Sequence, residues 1–396
     1  MAQDPQERLT FIGRTNYHGS SKPFGIRQAD RLAHMYIVGK TGTGKSTLLE
    51  TLIRQDLMAG QGLALLDPHG DLVERVLACL PEERKAHCIY FNVPDRAQPL
   101  GFNPLERVPG PNRALTASYL LEAFKKLWSE FWGPRTEHIL RNALLALLDQ
   151  PEATLADVLR LLDEATFRKR VSERVANAQV RRFWLKEYES YPARLRSESI
   201  APLQNKVGAF LANPILHNIL LQPKSSFTMR DVMDNGKVLL VNLAKGKIGE
   251  DTAALLGSLL VTSLGVGGLS RADAPQEKRR DFFVYLDEFH SFTTLSIASM
   301  LSELRKYRVG MVLAHQYLTQ LDRQVRDSIL GNVGTFISFR LGATDALILE
   351  KEFAPEVTAQ DLVSLPNYHI YLKLMVGGVI SRPFSGQTLH MPDPGS

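Results

Sequence analysis

The sequence predicts an α/β protein in which a mostly parallel central sheet is split by an all-α insertion. Short, nearly continuous apolar runs alternate with helical patterns from residue 31 to 112 and again from residue 237 onward, which is typical of parallel strands covered on both faces. Between them, residues 113–236 show helical periodicity and no convincing strand. The first apolar run leads through a glycine-rich loop into a helix, the order found in nucleotide-binding α/β units.

This pattern predicts four segments. Residues 1–30 form β-like pieces that pack on the core, 31–112 are the first part of the core, 113–236 are the insertion, and 237–396 are the second part with a C-terminal hairpin. The predicted strands are 34–39, 62–67, 88–93, 237–244, 281–288, 309–316 and 334–342. The predicted helices of the core are 46–59, 72–80, 251–270, 297–307, 324–330 and 345–352, and the hairpin at 368–385 turns at Gly377–Gly378.

Composition indicates an ordinary globular protein. Hydrophobic residues make up 44% of the chain and charged residues 22%, and the net charge of +5 is compatible with a polyanionic partner without establishing one. The two cysteines, Cys79 and Cys88, have no metal-binding or disulfide spacing, so we interpret them as reduced core thiols in a reducing cytoplasm.

No membrane span is predicted. The N-terminus lacks the basic and apolar regions of a signal peptide. The most apolar window, 253–269, is shorter than a bilayer span and contains four glycines. A buried helix beside the sheet explains this window better than a membrane helix does.

The stretch from Gly39 to Ser46 fits the pattern G-x-x-x-x-G-K-[ST] and is called here the phosphate loop. Glycines let backbone N–H groups surround phosphates, and the following helix adds its positive N-terminal dipole. Lys45 would reach the phosphates and the Ser46 hydroxyl would bind Mg²⁺. The alternative is a glycine turn before an ordinary helix. The predicted ATP-binding residues are Gly39, Lys40, Thr41, Gly42, Thr43, Gly44, Lys45, Ser46 and Thr47.

The strand 281–288 ends in two carboxylates, Asp287 and Glu288. They are expected at the edge of the sheet where ligands bind in open α/β folds. Asp287 would hold Mg²⁺ and Glu288 would polarise the attacking water. An acidic pair that caps the next helix is the alternative, and the phosphate loop favours hydrolysis over it.

Gln316 ends the next strand, where it would sense the γ-phosphate or hold the water. A plain strand-end amide explains it equally well. His290 and His315 lie nearby in the sequence, and we interpret both as structural because no metal-binding spacing joins them.

Cations cluster near the end of the predicted helix 297–307. Arg305, Lys306 and Arg308 would be stabilised there by the helix dipole alone. The alternative is an arginine finger that enters a neighbouring subunit's site, with Arg340 as a second candidate.

The motif "LLDPHGD" (65–71) follows the second strand. Asp67, His69 and Asp71 could link nucleotide state to motion, or they could form an ordinary Pro-Gly turn with an Asp cap. The residues alone leave both readings open.

The insertion is rich in Arg and Lys, interleaved with aromatic residues that could stack on DNA bases. Its acidic residues offset much of this charge, so a solvated helical face is favoured from the residues alone.

Six motifs in this order resemble one family: "GKTGTGKSTLL", "LLDPHGDL", "LLVNLAKG…GEDTAALLGSLL", "YLDEFHSF", "LSELRKYRVGMVLAHQYLTQL" and "ILGNVGTFISFRLGATDA". They are similar to those of the TraG/TraD-like ATPases of conjugative DNA transfer, the type IV secretion coupling proteins of the HerA–FtsK superfamily. The resemblance spans residues 20–390.

The resemblance implies a RecA-like P-loop NTPase that forms a homo-hexamer, hydrolyses ATP with Mg²⁺ and moves single- or double-stranded DNA through a central channel. It implies that the insertion engages DNA or a relaxase at the channel mouth. Carried over by position, Lys45 and Ser46 bind ATP·Mg²⁺, Asp287 and Glu288 form the hydrolytic pair, Arg305 is the inter-subunit arginine and Gln316 is the sensor.

Many coupling proteins begin with transmembrane helices, which this sequence does not show. We therefore expect a cytoplasmic protein, or one held at the inner face of the cell membrane by secretion-system membrane proteins. Two alternatives stay open: a nucleotide-gated docking platform that recruits a relaxase or protein substrate, and a HerA-like ATPase of DNA processing or defence.

Overall fold

A computed structural model describes residues 5–16, 21–106, 112–128 and 132–391. The chain forms two compact units. Unit 1 comprises Met1–Phe91, Arg230–Ala244 and Arg271–Ser396, and unit 2 comprises Asn92–Met229 and Lys245–Ser270. The predicted α/β class with a parallel central sheet and a separate helical part is confirmed.

Unit 1 contains an 11-stranded sheet in the order β2-β1-β13-β10-β9-β3-β8-β7-β4-β6-β5 and a two-stranded hairpin, β11-β12. The strands are β1 (Leu9–Thr15), β2 (Pro23–Arg27), β3 (Met35–Val38), β4 (Gly62–Asp67), β5 (Cys88–Asn92), β6 (Val238–Asn242), β7 (Phe282–Leu286), β8 (Val309–His315), β9 (Thr335–Ser338), β10 (His369–Lys373), β11 (Met375–Val376), β12 (Val379–Ile380) and β13 (Phe384–Thr388).

The helices that belong to unit 1 are α1 (Gln28–Arg31), α2 (Lys45–Met58), α3 (Asp71–Ala78), α4 (Glu82–Lys85), α13 (Met229–Asp234), α16 (Ser296–Glu303), α17 (Arg323–Asn332), α18 (Ala343–Phe353) and α19 (Ala359–Ser364). Those of unit 2 are α5 (Arg113–Leu127), α6 (Pro134–Leu147), α7 (Ala156–Asp163), α8 (Ala165–Arg174), α9 (Ala178–Arg182), α10 (Tyr188–Ser190), α11 (Ala193–Ala212), α12 (Pro214–Leu220), α14 (Lys245–Ile248) and α15 (Glu250–Ser270).

The middle of the sheet is parallel. Strand β3 lies between β8 and β9, β8 pairs with β7, and β7 pairs with β4, all in the same direction. These strands are buried along their whole length, as their continuous apolar runs require. Their carboxyl ends therefore meet at one edge of the sheet, called here the carboxyl edge, and the opposite edge is called the amino edge.

Strand β6 continues the parallel part beside β4, and the sheet becomes antiparallel beyond β9. Strand β10 pairs with β9 and with β13, and β13 pairs with β1. The predicted C-terminal hairpin thus joins the sheet, and its short tip, β11-β12, turns at the predicted glycine pair. The N-terminal β-like segment forms β1 and β2 and extends this side of the sheet.

Helix α15 contains the apolar window discussed above. The segment Glu250–Asp273 is long and apolar enough to cross a membrane, yet 89% of its most apolar window is buried inside the protein. It packs against α5 in the helical unit. The unit boundaries therefore differ from the predicted domain boundaries, which placed this helix in the core and began the insertion at 113 rather than 92.

Two predicted elements are shorter than expected. The α-helix predicted at 297–307 ends at Glu303, and Leu304–Tyr307 tighten into a 3₁₀ turn that stops at Arg308, whose φ of 60° is left-handed. The strand predicted at 334–342 is limited to Thr335–Ser338. The remaining residues of that segment turn toward the phosphate loop, where the Arg340 carbonyl accepts a bond from Lys40 N.

A buried ionic cluster joins the helix after the phosphate loop to the strand that ends in Asp287. The Arg31 guanidinium donates to both carboxylate oxygens of Asp56 in α2, with Nη2 to Oδ2 at 2.8 Å. The Tyr285 hydroxyl of β7 donates to Asp56 Oδ2 at 2.6 Å. The guanidinium also stacks 3.8 Å above the ring of Phe283. The cluster therefore ties α1, α2 and β7 together within unit 1.

Replacing Asp56 by alanine is expected to lower the free energy of unfolding by about 3–5 kcal/mol, because it leaves the guanidinium charge of Arg31 buried without its partner. Both side chains of this pair are only 1% exposed. Urea denaturation measures the change. The matched control is Glu303→Ala, which breaks an exposed pair with Lys306 and is expected to cost less than about 1 kcal/mol. Equal effects in the two variants would contradict the prediction.

Candidate active site

The phosphate loop lies at the carboxyl edge, between β3 and α2. Gly42 and Gly44 have φ angles of 75° and 118°, in the region that favours glycine. A side chain at Gly44 would meet the ring of Tyr368 at 2.8 Å, and one at Gly39 would meet Phe339 at 2.5 Å. The loop therefore needs its glycines to curve, and it places backbone N–H groups before the first turn of α2, as an anion site requires.

Lys45 lies inside this loop. Its side chain is buried, and Nζ donates to the carbonyl oxygens of Gly39 at 2.6 Å and Lys40 at 3.1 Å. Burial lowers the pKa of Lys45, while the carboxylates of Glu288 and Asp287 raise it. Thr43 Oγ1 also donates to the Lys40 carbonyl, at 2.7 Å. The lysine is thus held at the centre of the loop, where a phosphate could replace these carbonyl acceptors.

Asp287 follows β7 directly and faces two other carboxylates. Its pKa is raised to about 7, mainly by burial and further by the charges of Asp67 and Glu288, against the lowering effects of Lys45 and a bond from Glu288 N. A buried carboxyl group in such surroundings favours a cation. It therefore fits Mg²⁺, together with Ser46 at the start of α2.

In the described ranges, no group of three or more His, Cys, Asp or Glu residues could hold a metal ion without further ligands. A magnesium ion held by one or two protein oxygens depends on phosphate oxygens and water for the rest of its ligands. The site thus fits Mg²⁺ bound together with a nucleotide rather than a free metal centre.

In EDTA, Asp287→Asn is expected to stabilise the protein by about 1–3 kcal/mol more at pH 8 than at pH 5. The folded-state pKa of about 7 is raised above the ordinary value, so the folded protein holds a proton that the unfolded chain has lost. Stability therefore falls as pH rises toward 7, and asparagine removes this loss. Urea denaturation of both proteins at each pH measures the difference.

The control for this experiment is Asp327→Asn, which changes an exposed carboxylate and is expected to give the same small effect at both pH values. A pH-independent effect of Asp287→Asn would contradict the raised pKa.

Asp67, at the end of β4, acts as a cap. Its carboxylate accepts bonds from the backbone N–H groups of His69 at 2.8 Å, Leu72 at 2.8 Å and Val73 at 3.1 Å. These bonds satisfy backbone N–H groups in the first turn of α3, which have no partner within the helix. They favour the interpretation of "LLDPHGD" as a turn with an Asp cap. His69 and Asp71 are exposed.

Glu288 and Gln316 meet at the carboxyl edge. Gln316 Nε2 donates to Glu288 Oε1 at 2.6 Å, and Thr41 Oγ1 of the phosphate loop donates to Gln316 Oε1 at 2.7 Å. Glu288 is only 7% exposed, and its φ of 46° is left-handed. Gln316 is therefore more than a strand-end amide, because it joins the acidic residue to the loop.

His290 contacts the same carboxylate from the other side, with Nδ1 3.4 Å from Glu288 Oε2. This contact is not predictable from the sequence, since only the 3₁₀ turn Phe289–Ser291 brings the two side chains together. His315 is fully buried, with Nε2 2.5 Å from the Tyr36 hydroxyl, and burial holds its pKa well below the ordinary value. These contacts support a structural role for His315.

The cations lie at two different edges. Arg305 precedes β8 and is exposed at the amino edge, so the seven residues of β8, about 20 Å of strand, separate it from its own chain's phosphate loop. Arg308 pairs with Asp281 at 2.6 Å and Lys306 pairs with Glu303 at 3.0 Å. Arg340 lies at the carboxyl edge, where its guanidinium donates to the Asn367 side chain at 2.9 Å.

Most of the aromatic residues of the helical unit are unable to stack on bases. Trp128, Phe183, Trp184 and Tyr188 are buried in its interior. Trp132 is half-buried and donates through Nε1 to Glu137 at 2.8 Å. It borders a cleft of 490 Å³ that Lys125, Pro134, Glu137, His138 and Arg141 also line.

Comparison with known proteins identifies the family. The sequence profile of the type IV secretion-system coupling protein DNA-binding domain matches residues 23–347. No curated protein sequence matches the chain significantly.

Solved structures show the same fold. The unbound bacterial conjugative coupling protein TrwBdeltaN70 matches with a TM-score of 0.65 and 17% identity, over 98% of this chain and 91% of that one. The plasmid coupling protein TrwB in complex with ADP and Mg²⁺ gives 0.64 and 18%, over 99% and 97%. VirB4 of Thermoanaerobacter pseudethanolicus gives 0.63 and 13%, over 98% of both chains. Since the profile covers most of the chain, this protein belongs to the type IV secretion-system coupling proteins, as its sequence motifs predict.

Proposed function

We propose that this protein is a motor ATPase that hydrolyses ATP in a ring and moves DNA, alone or bound to a relaxase, in conjugative type IV transfer. The observation that carries the proposal is the hydrogen-bonded path from Thr41 in the phosphate loop through Gln316 to Glu288. It joins the predicted phosphate site to the predicted hydrolytic carboxylate within one edge of the sheet. A passive phosphate-binding protein needs no carboxylate at this position.

The residues at the carboxyl edge fit ATP and Mg²⁺. Solved structures of TrwB contain ADP with Mg²⁺ and a non-hydrolysable ATP analogue, which supports the same cofactors here. When bound, ATP·Mg²⁺ supplies the phosphoanhydride bond and a positive charge that stabilises the phosphate oxygens. Lys45 would bind the terminal phosphates, and Ser46 and Asp287 would hold the metal ion.

Glu288 would act on the attacking water. A carboxylate orients water and accepts its proton as the bond to phosphorus forms. Glu288 lies between Asp287 and the Gln316 side chain, so it is near the metal position without being needed as a metal ligand. Gln316 would respond to the γ-phosphate through its contacts with Thr41 and Glu288.

The position of Arg305 supports a site shared between subunits. It lies at the amino edge, too far to reach the phosphate loop of its own chain. An arginine that acts on phosphate from there must act on a neighbouring subunit, and a head-to-tail contact of this kind forms a ring when the rotation between subunits closes. We propose that the ring is a hexamer.

DNA is the proposed cargo, in agreement with the DNA-binding domain named for the matching profile. In the helical unit, the half-buried ring of Trp132 lies at the cleft with Lys125 and Arg141, which both pair with Glu137. A ring beside two cations is the combination that contacts to a base and its phosphates require. A relaxase is a further proposed partner of this unit. Attachment to the inner face of the membrane through secretion-system proteins stays a prediction.

The test measures ATP hydrolysis with no DNA, single-stranded DNA and double-stranded DNA, and follows displacement of a streptavidin block from DNA ends. We expect DNA to raise the hydrolysis rate several-fold, and movement to require ATP. Electron microscopy with an ATP analogue and DNA should show rings around DNA. Lys45→Ala is the inactive control. Identical hydrolysis under all conditions and no rings would overturn the proposal.

A further inference from the structure

Two side chains contact the carboxylate of Glu288, and a third holds one of them in place. Gln316 Nε2 donates to Oε1 at 2.6 Å, and His290 Nδ1 lies 3.4 Å from Oε2. Thr41 Oγ1, from the phosphate loop, donates to the other end of the Gln316 amide at 2.7 Å. We call Thr41, Gln316 and His290 the glutamate clamp.

Thr41 and Glu288 together set the direction of the Gln316 amide. Because the Thr41 hydroxyl donates to Oε1 of the amide, that oxygen is directed toward the loop and Nε2 is directed toward Glu288. An amide turned the other way would place its oxygen against the carboxylate, which repels it. The Thr41 hydroxyl and the Glu288 carboxylate therefore favour the same direction of the amide, and Thr41 holds its far end.

We propose that the glutamate clamp holds Glu288 in an unproductive position until nucleotide engages the phosphate loop, with Thr41 and His290 as its positioning residues. This inference rests on the proposed function of Glu288. The Gln316 bond to Oε1 and the close approach of His290 to Oε2 restrict the direction of the carboxylate, so it is not free to turn toward an attacking water.

Nucleotide would release the clamp by competition. Thr41 is exposed at the outer part of the loop, where phosphate oxygens would approach, and its hydroxyl has one proton to donate. If a phosphate oxygen accepts that proton, Gln316 loses its anchor and the amide can rotate away from Glu288. The left-handed backbone of Glu288, with φ of 46° and ψ of 45°, is a conformation that such residues adopt at a cost, which favours movement once the clamp opens.

The first variant is Thr41→Val, which keeps the shape of the side chain and removes the proton donor. We expect its DNA-independent hydrolysis rate to rise about 3- to 10-fold, the effect of one lost hydrogen bond on the held state. The ratio of DNA-stimulated to DNA-independent rate should fall by the same factor. Thr41→Ser keeps the hydroxyl and should restore the wild-type ratio.

A second variant tests the other side of the clamp. His290→Ala removes the contact with Oε2 and should also raise the DNA-independent rate, whereas His290→Asn, which keeps a donor, should raise it less. The double variant Thr41→Val/Glu288→Gln should hydrolyse ATP no faster than Glu288→Gln alone, which would show that the gain passes through Glu288. Binding of a fluorescent ATP analogue, measured in parallel, reports whether each variant still folds and binds.

The results distinguish a failure of the glutamate clamp from a failure of the proposed ATPase function. If wild type hydrolyses ATP and Glu288→Gln does not, the proposed function stands. If, in that case, Thr41→Val and His290→Ala leave the ratio unchanged, or lower the rate and the nucleotide affinity together, the clamp is wrong. If wild type shows no hydrolysis, the proposed function itself fails.

Discussion

Glu288→Gln is expected to lower the rate of ATP hydrolysis by at least about 100-fold, the usual contribution of a general base, while ATP still binds. Glutamine has the same size but is unable to accept a proton from water. Lys45, Ser46 and Asp287, which would hold ATP·Mg²⁺, are unchanged in this variant. Phosphate release measures kcat, and titration with a fluorescent ATP analogue measures the dissociation constant, which should stay within about threefold.

Glu303→Gln is the matched control, because Glu303 is an exposed carboxylate of unit 1 that pairs with Lys306. Its kcat should equal that of wild type. A Glu288→Gln protein that retained more than a tenth of the wild-type rate would remove Glu288 from the hydrolytic role. It would leave Asp287, or a residue from a neighbouring subunit, as the group that acts on water.

The second large effect is expected for Arg305→Ala, which should lower kcat about 1,000-fold if this residue is an arginine finger. Arg305 lies at the amino edge of the sheet, opposite its own phosphate loop, so its effect must depend on assembly. The neighbouring cation offers a control: Lys306→Ala removes an exposed charge paired with Glu303 and should change kcat by less than about twofold.

Mixing inactive variants tests whether the site is shared. Arg305→Ala subunits keep an intact phosphate loop, and Lys45→Ala subunits keep an intact arginine. In rings formed at random from equal amounts, about a quarter of the sites combine the two intact halves, so hydrolysis should return to about that fraction of the wild-type rate. Mixtures that stay inactive although mixed rings form would show that Arg305 does not act across the interface. Arg340, at the carboxyl edge, would then be tested in the same way.

The sequence predicts the functional motifs that consist of residues adjacent in the chain. The phosphate loop is recognisable because its glycines and Lys45 follow one another in the chain, and Asp287 and Glu288 because they end an apolar strand. Parallel strands bring these two motifs to one edge of the sheet, so their proximity is also predictable. The order of motifs then identifies the family, which the profile match over residues 23–347 confirms.

Contacts between distant parts of the chain are not predictable in this way. Nothing near Thr41 indicates that its hydroxyl bonds to Gln316, 275 positions away. Helix α15 has the composition of a core helix beside a sheet, yet it packs against α5 in the helical unit, because its apolar surface fits either partner. The composition of the insertion, with its many aromatic residues, suggests base stacking. The structure shows instead that Trp184 and Tyr188 are buried in the interior of the helical unit.

The buried cluster of Arg31, Asp56 and Tyr285 constrains how this subunit can do mechanical work. It connects α2, the helix after the phosphate loop, to β7, the strand that ends in the acidic pair. We therefore expect α2 and β7 to move together as one rigid body during the ATPase cycle. Conformational changes on nucleotide exchange would then occur outside α2 and β7, in the phosphate loop around Thr41 and in the turn that begins at Glu288. The rigid pair of α2 and β7 would transmit force, and the segments at Thr41 and Glu288 would act as hinges.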